Sequence, residues 1–156
     1  MNDATAPQPQ PEFNIEKLYV KDLSLEIPHA PTIFLEREQS QVDLQLHSQA
    51  SMIENSVYEV TITATITSKL PEKDLVAFLI EAKYAGIFIA RNLPQEDLNM
   101  VLGVTCPNIL YPYLREVVSE MAVRGGFAPV ILTPVNFEEQ YHNQRLQQAE
   151  SATATA

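Results

Sequence analysis

The side chains best suited to chemistry in this chain are the carboxylates Asp22, Glu26 and Glu81, the lone thiol of Cys106 and three scattered histidines. Grouped carboxylates can bind a hard cation, act as an acid pair or meet a basic protein, and the sequence leaves these three readings open. Cys106 stands before Pro107 with no histidine or basic cluster near it in sequence, which is the setting of a buried, inert thiol rather than a nucleophile. His29, His47 and His142 fall in a turn, on a polar strand face and in a polar helix, without metal-ligand spacing. No G-x-G-x-x-G, Walker loop, H-E-x-x-H, G-x-S-x-G or C-x-x-C occurs. That absence weighs against a metal or cofactor and, less strongly, against catalysis.

The elements that would carry these residues show two periods. Phe13, Ile15, Tyr19, Leu23, Leu25 and Ile27 alternate with polar residues as a strand; Val42, Leu44 and Leu46 mark a second. Residues 58–70 set Tyr58, Val60, Ile62, Ala64 and Ile66 against Glu59 and a row of threonines. A fourth strand presents Val76, Phe78, Ile80, Ala82, Tyr84 and Phe88 on one face and Leu79, Glu81 and Lys83 on the other. The 28–41 connection is long for a hairpin and permits strand one to lie beside strand four, grouping Asp22, Glu26, Leu79 and Glu81 on one exposed surface. An apolar residue ringed by carboxylates is how a protein contact is built.

The second half shifts to steps of three and four. Ile109, Leu110, Tyr113, Leu114, Val117, Val118, Met121 and Ala122 form a helical stripe, with Asn108 as N-cap, Gly125-Gly126 as stop and a short helical turn ahead of it at Gln95–Leu102. A last helix opens at Asn136 with Glu139 completing a capping box, then offers little to bury. The fold class is α+β: a four-stranded, Greek-key-like antiparallel sheet covered on one face by a long helix and a weaker C-terminal helix. One helix about 10 Å across cannot cover four strands, so the rest of the apolar face calls for another cover, most simply a second copy of the chain.

The 156 residues suit one domain, and their biased ends read as disordered tails at 1–12 and 149–156 around a domain at 13–148. A net charge of −10 disfavours nucleic acid and anionic lipid as partners. A single cysteine and a polar N-terminus fit a cytoplasmic protein without membrane insertion.

The segment C-P-N-I-L-Y-P-Y-L-R-E at 106–116 closely resembles the signature of the SecB family of bacterial export chaperones, and the segments at 19–31, 57–60, 85–88 and 134–137 match it in order and spacing. The resemblance implies a homotetramer, a dimer of dimers, that holds unfolded precursor polypeptides without ATP and delivers them to the SecA ATPase of the Sec translocase. It carries SecA contacts onto Asp22, Glu26, Leu79 and Glu81. It places clients in grooves edged by the 28–41 crossover and both helices, with Phe34, Tyr111, Tyr113, Phe137 and Tyr141 as lining residues. A general holdase or adaptor of the same fold with another downstream partner is the alternative.

Overall fold

The structure, a computed structural model, describes residues 6–155. Its centre is β3 (Val57–Leu70), where Val60, Ile62, Ala64 and Ile66 are sealed from solvent while the threonines between them face outward. β-Branched side chains on both faces keep this strand extended and leave only one face to bury. Two hairpins flank it. β2 (Gln41–Glu54) folds back through Asn55-Ser56, and β4 (Leu75–Arg91) through the turn at 71–74, where Asp74 takes a positive φ of 51°.

β1 (Glu12–Glu26) is not joined to a neighbour by a hairpin. Residues 27–40 carry the chain over the sheet from the β1 edge to the β2 edge, pinned by the buried Ile33 in the 3-10 turn Thr32–Leu35. The strand order is β1-β4-β3-β2, fully antiparallel, as the Greek-key reading requires. β2 runs well past the expected end at His47 because its second half, though mostly exposed, still pairs with β3.

Strict alternation in β1 fails at two β-bulges, one between Ile15 and Lys17, the other between Val20 and Asp22. An extra residue reverses every following side chain, and a second restores the phase. Leu18 and Val20 therefore lie on the helix-side face, whereas Tyr19, expected there, points to the outer face. Ile15 stays on the inner face opposite Phe88 but is half exposed at the uncovered sheet edge. A further irregularity between β3 and β4, where Ser68 pairs with Phe78 and Lys69 with Val76, likewise moves Val76 out of the inner row and tucks Ala77 in.

The helical stripe is longer than its pattern. α1 (Gln95–Met100), a π turn (Val101–Thr105) and α2 (Cys106–Arg124) form one continuous rod, so Asn108 lies within it and caps nothing. Gly103, Pro107 and Pro112 all lie inside this rod. The Cys106 N–H reaches back to the Val101 carbonyl, and this widened turn accommodates the proline that follows. Glu96 and Asp97 in the first turn favour the start of the rod electrostatically.

Leu110, Leu114, Val118 and Ala122 press onto β3 and β4, and the rod ends as expected at Gly125, with Gly126 at φ 87°. An extended stretch, 127–136, then leads to α3 (Phe137–Ala154). Asn136 caps α3 by accepting the Glu139 N–H at 3.1 Å. α3 buries little beyond Phe137 and runs into the stretch that composition assigned to a tail; residues 149–155 are exposed, and Ser151 and Thr153 bond back to carbonyls of the preceding turn. Of the expected N-terminal tail, residues 6–11 are exposed and irregular, while 1–5 lie outside the described residues, as does Ala156.

Candidate functional site

Two surfaces emerge. The first is the outer face of the sheet. The second bulge of β1 sets Asp22 opposite Lys83, Ser24 opposite Glu81 and Glu26 opposite Leu79, and strand alternation points all of these away from the helices. Asp22, Glu26, Leu79 and Glu81 thus share one patch, with the half-buried Leu79 among three carboxylates. Among the described residues no three His, Cys, Asp or Glu side chains gather closely enough to hold a metal ion. The arrangement is that of a small apolar anchor in an acidic rim, able to receive an extended basic segment.

Next to the patch, Tyr19, Lys21 and Glu59 lock together. The Tyr19 hydroxyl donates to one Glu59 oxygen, and Lys21 Nζ approaches the other at 2.6 Å. The Lys21 and Tyr19 hydrogen bonds hold the Glu59 carboxyl below its ordinary value. Burial, helped by the Glu59 bond and charge, pushes the Tyr19 phenol up to about 12. The three residues come from segments far apart in sequence and bridge β1 to β3 across Ala85, which is fully buried beneath them.

The second surface is a groove between the start of β2 and the extended 127–133 stretch. Its larger part, about 390 Å³, is lined by Val42, Leu44, Phe78, Phe127, Val130 and Leu132 among others. A smaller part of about 250 Å³ continues it toward Phe34 and Ile33, sharing Ser40, Phe127 and Ala128. The rings of Phe34 and Phe78 pack on Phe127 at 5.2 and 4.6 Å. Apolar side chains of its lining stand open: Ile131 is 84% exposed and Phe34 44%.

The five aromatic residues expected in a client groove do not share one surface. Phe34 lies in the groove. Tyr111 and Phe137 are buried against each other, edge to face at 5.6 Å, with the Tyr111 hydroxyl donating to the Thr133 carbonyl. They act from beneath, anchoring the stretch that forms the groove wall. Tyr113 instead stacks on Tyr84 at 5.5 Å, and Tyr141 covers Gly103 in the π turn. Helical spacing distributes aromatics over several faces, so a stripe cannot tell which face a groove will use. Phe127, Val130, Ile131 and Leu132 were missed, although the run F-A-P-V-I-L-T-P-V, apolar but broken by prolines, is a legible sign of an extended, unpaired segment.

Cys106 is fully buried, and burial pushes its thiol up to about 12, as expected of an inert cysteine. Among the described residues no helix is long and apolar enough to cross a membrane.

Comparison with known proteins gives a consistent picture. The family model described as "Preprotein translocase subunit SecB" matches residues 6–149. The protein-export protein SecB of Nitrosomonas eutropha is 57% identical over 147 residues, covering 94% of this chain and 92% of that protein. That of Chromobacterium violaceum is 55% identical over 145 residues, covering 93% and 95%. Among solved structures, the Mycobacterium tuberculosis Rv1957 SecB-like chaperone, in complex with a ChAD peptide from the Rv1956 HigA1 antitoxin, superposes with a TM-score of 0.66 at 18% identity, over 79% of this chain and 90% of that one. The chain belongs to the SecB family of protein-export chaperones, which are not enzymes.

Proposed function

We propose that this chain works in the cytoplasm as an ATP-independent export chaperone, a homotetramer that holds unfolded precursor polypeptides in its grooves and presents them to SecA through Asp22, Glu26, Leu79 and Glu81. The observation that carries the reading is the groove between β2 and residues 127–133: its larger part, about 390 Å³, is lined mainly by apolar side chains, and Phe34 and Ile131 stand exposed at it. Retaining a client at micromolar strength takes about 8 kcal/mol, while one buried apolar side chain supplies about 1.5–3 and ordering each residue costs about 1–2. A single groove falls short. Several grooves on one assembly raise the effective concentration of each next segment, so a long flexible chain is held and a folded one is ignored.

Assembly is supported by the apolar side chains that this chain leaves bare: Ile15 and Val20 on the inner face of β1, Tyr113 and Val123 on α2. SecA recognition is supported by the outer acidic patch, whose attraction to a basic segment weakens as salt shortens the screening length. Native mass spectrometry with a non-native precursor tests the reading. The expected result is a tetramer that binds the unfolded precursor and not its folded form; a monomer that binds both alike overturns it. Glu26→Lys and Glu81→Lys should abolish SecA binding while precursor binding persists. Retained SecA binding in both variants would overturn the docking role of the patch, whereas an unaltered protein that binds precursor but not SecA would favour a general holdase with another downstream partner.

A further inference from the structure

The acidic patch has two cationic neighbours, and the fold treats them differently. Lys83 stands directly opposite Asp22 across the β1-β4 pair. The second β1 bulge leaves Lys21, the residue before Asp22, on the same outer face. Both lysines border one hollow of about 280 Å³, together with Glu59, Thr61 and Thr63. Lys21 is committed: its Nζ lies 2.6 Å from one Glu59 oxygen, while Tyr19 holds the other. Lys83 is exposed and, like Asp22, has no ion-pair partner among the described residues. One cation beside the patch is thus tied to another strand, and the other is left facing the patch.

We propose that these two lysines set how strongly the patch holds a basic partner segment: Lys83 weakens docking by competing for Asp22, and the Tyr19–Glu59 grip on Lys21 keeps a second cation from doing the same. This role rests on reading Asp22, Glu26, Leu79 and Glu81 as the SecA contact, and adds to it the residues that regulate its strength. A lysine directly across a strand pair can reach the opposite carboxylate. An incoming lysine or arginine must displace that side chain and then sit beside its charge, so three carboxylates attract less than their number implies. With Lys21 freed as well, three carboxylates would face two ammonium groups and lose most of their net charge. Weaker attraction also shortens the residence of a docked segment, so Lys83 favours release as well as limiting capture.

The test measures binding of purified SecA to the full-length protein by biolayer interferometry at low and high salt. Lys83→Gln should bind about threefold tighter and Lys83→Glu about tenfold tighter at low salt, the graded effect of removing and then reversing one exposed charge. Both gains should shrink at high salt as the screening length falls. A gain in affinity cannot arise from damage to the fold. Glu59→Gln should bind about threefold more weakly, and adding Lys21→Met to it should restore binding. A slipped β1 register would not be repaired by a change at Lys21, so failure of that rescue overturns the role given to Glu59. Lys83 variants that bind SecA no tighter than the unaltered protein overturn the role given to Lys83; weaker binding would mean that Lys83 holds an anionic group of the partner. Glu26→Lys separates these failures from that of the docking reading. If it loses SecA while the Lys83 variants match the unaltered protein, only the regulation falls. If it binds SecA as well as the unaltered protein, or the unaltered protein does not bind SecA, the docking reading falls and the regulation with it.

Discussion

Tyr19 donates its phenol hydrogen to Glu59 across the intervening strand β4, and Lys21 closes the same carboxylate from its other side. This bridge spans the second β1 bulge, the irregularity that turns Asp22 and Glu26 onto the outer face. The family-like segments at 19–21, 57–60 and 85–88 therefore meet at one point, where they fix the phase of β1 beside the acidic patch.

Because the Glu59 carboxyl is depressed in the folded chain, its stabilising effect is present above its ordinary value of 4.5 and is lost as pH falls through the depressed folded value. Glu59→Gln should cost about 1–2 kcal/mol at neutral pH, where charged hydrogen bonds are made, and the gap to the unaltered protein should close in acid. Urea unfolding at a series of pH values measures this. A gap that stays constant below pH 4 would show that the bridge does not act through charge.

Tyr111 holds the groove wall from below through its bond to Thr133. Tyr111→Phe keeps the ring on Phe137 and removes only that bond, so a loss of about 1 kcal/mol is expected. Hydrogen exchange should rise across residues 127–135 and not in β3. Uniform acceleration over the whole chain would mean that the bond supports the fold generally.

Gly103 marks where α3 docks. A Cβ there would come within 2.6 Å of the Tyr141 ring, and the helix that carries Tyr141 buries little else beyond Phe137. Gly103→Ala should therefore displace α3 and leave the sheet intact, with faster exchange in 137–150 and a global stability within about 1 kcal/mol of the parent. Unchanged exchange in α3 would show that the Tyr141 ring simply swings aside.

Leu114 and Cys106 report on the core. Leu114→Ala, at a fully buried position between rod and sheet, should cost about 2–5 kcal/mol. The Cys106 thiol, raised to about 12 by burial, should resist a maleimide at neutral pH and react once urea unfolds the chain. Fast labelling of the native protein would contradict this packing.

The alternation Tyr58 to Thr67 and the helical stripe 109–122 mark a strand and the long helix, and the long 28–41 connection permits the strand order that places Asp22, Glu26, Leu79 and Glu81 on one face. Each of these is written in local periodicity, which depends on the chain's own geometry. Tertiary structure alone decided where periodicity breaks: the bulges that send Tyr19 outward, the π turn that carries the rod through Pro107, and the burial of Tyr111 and Phe137 beneath a wall built from residues 127–133. These depend on which distant groups satisfy an extra residue, a missing N–H or a buried hydroxyl, and such partners are brought together only when the sheet and helices close on one another.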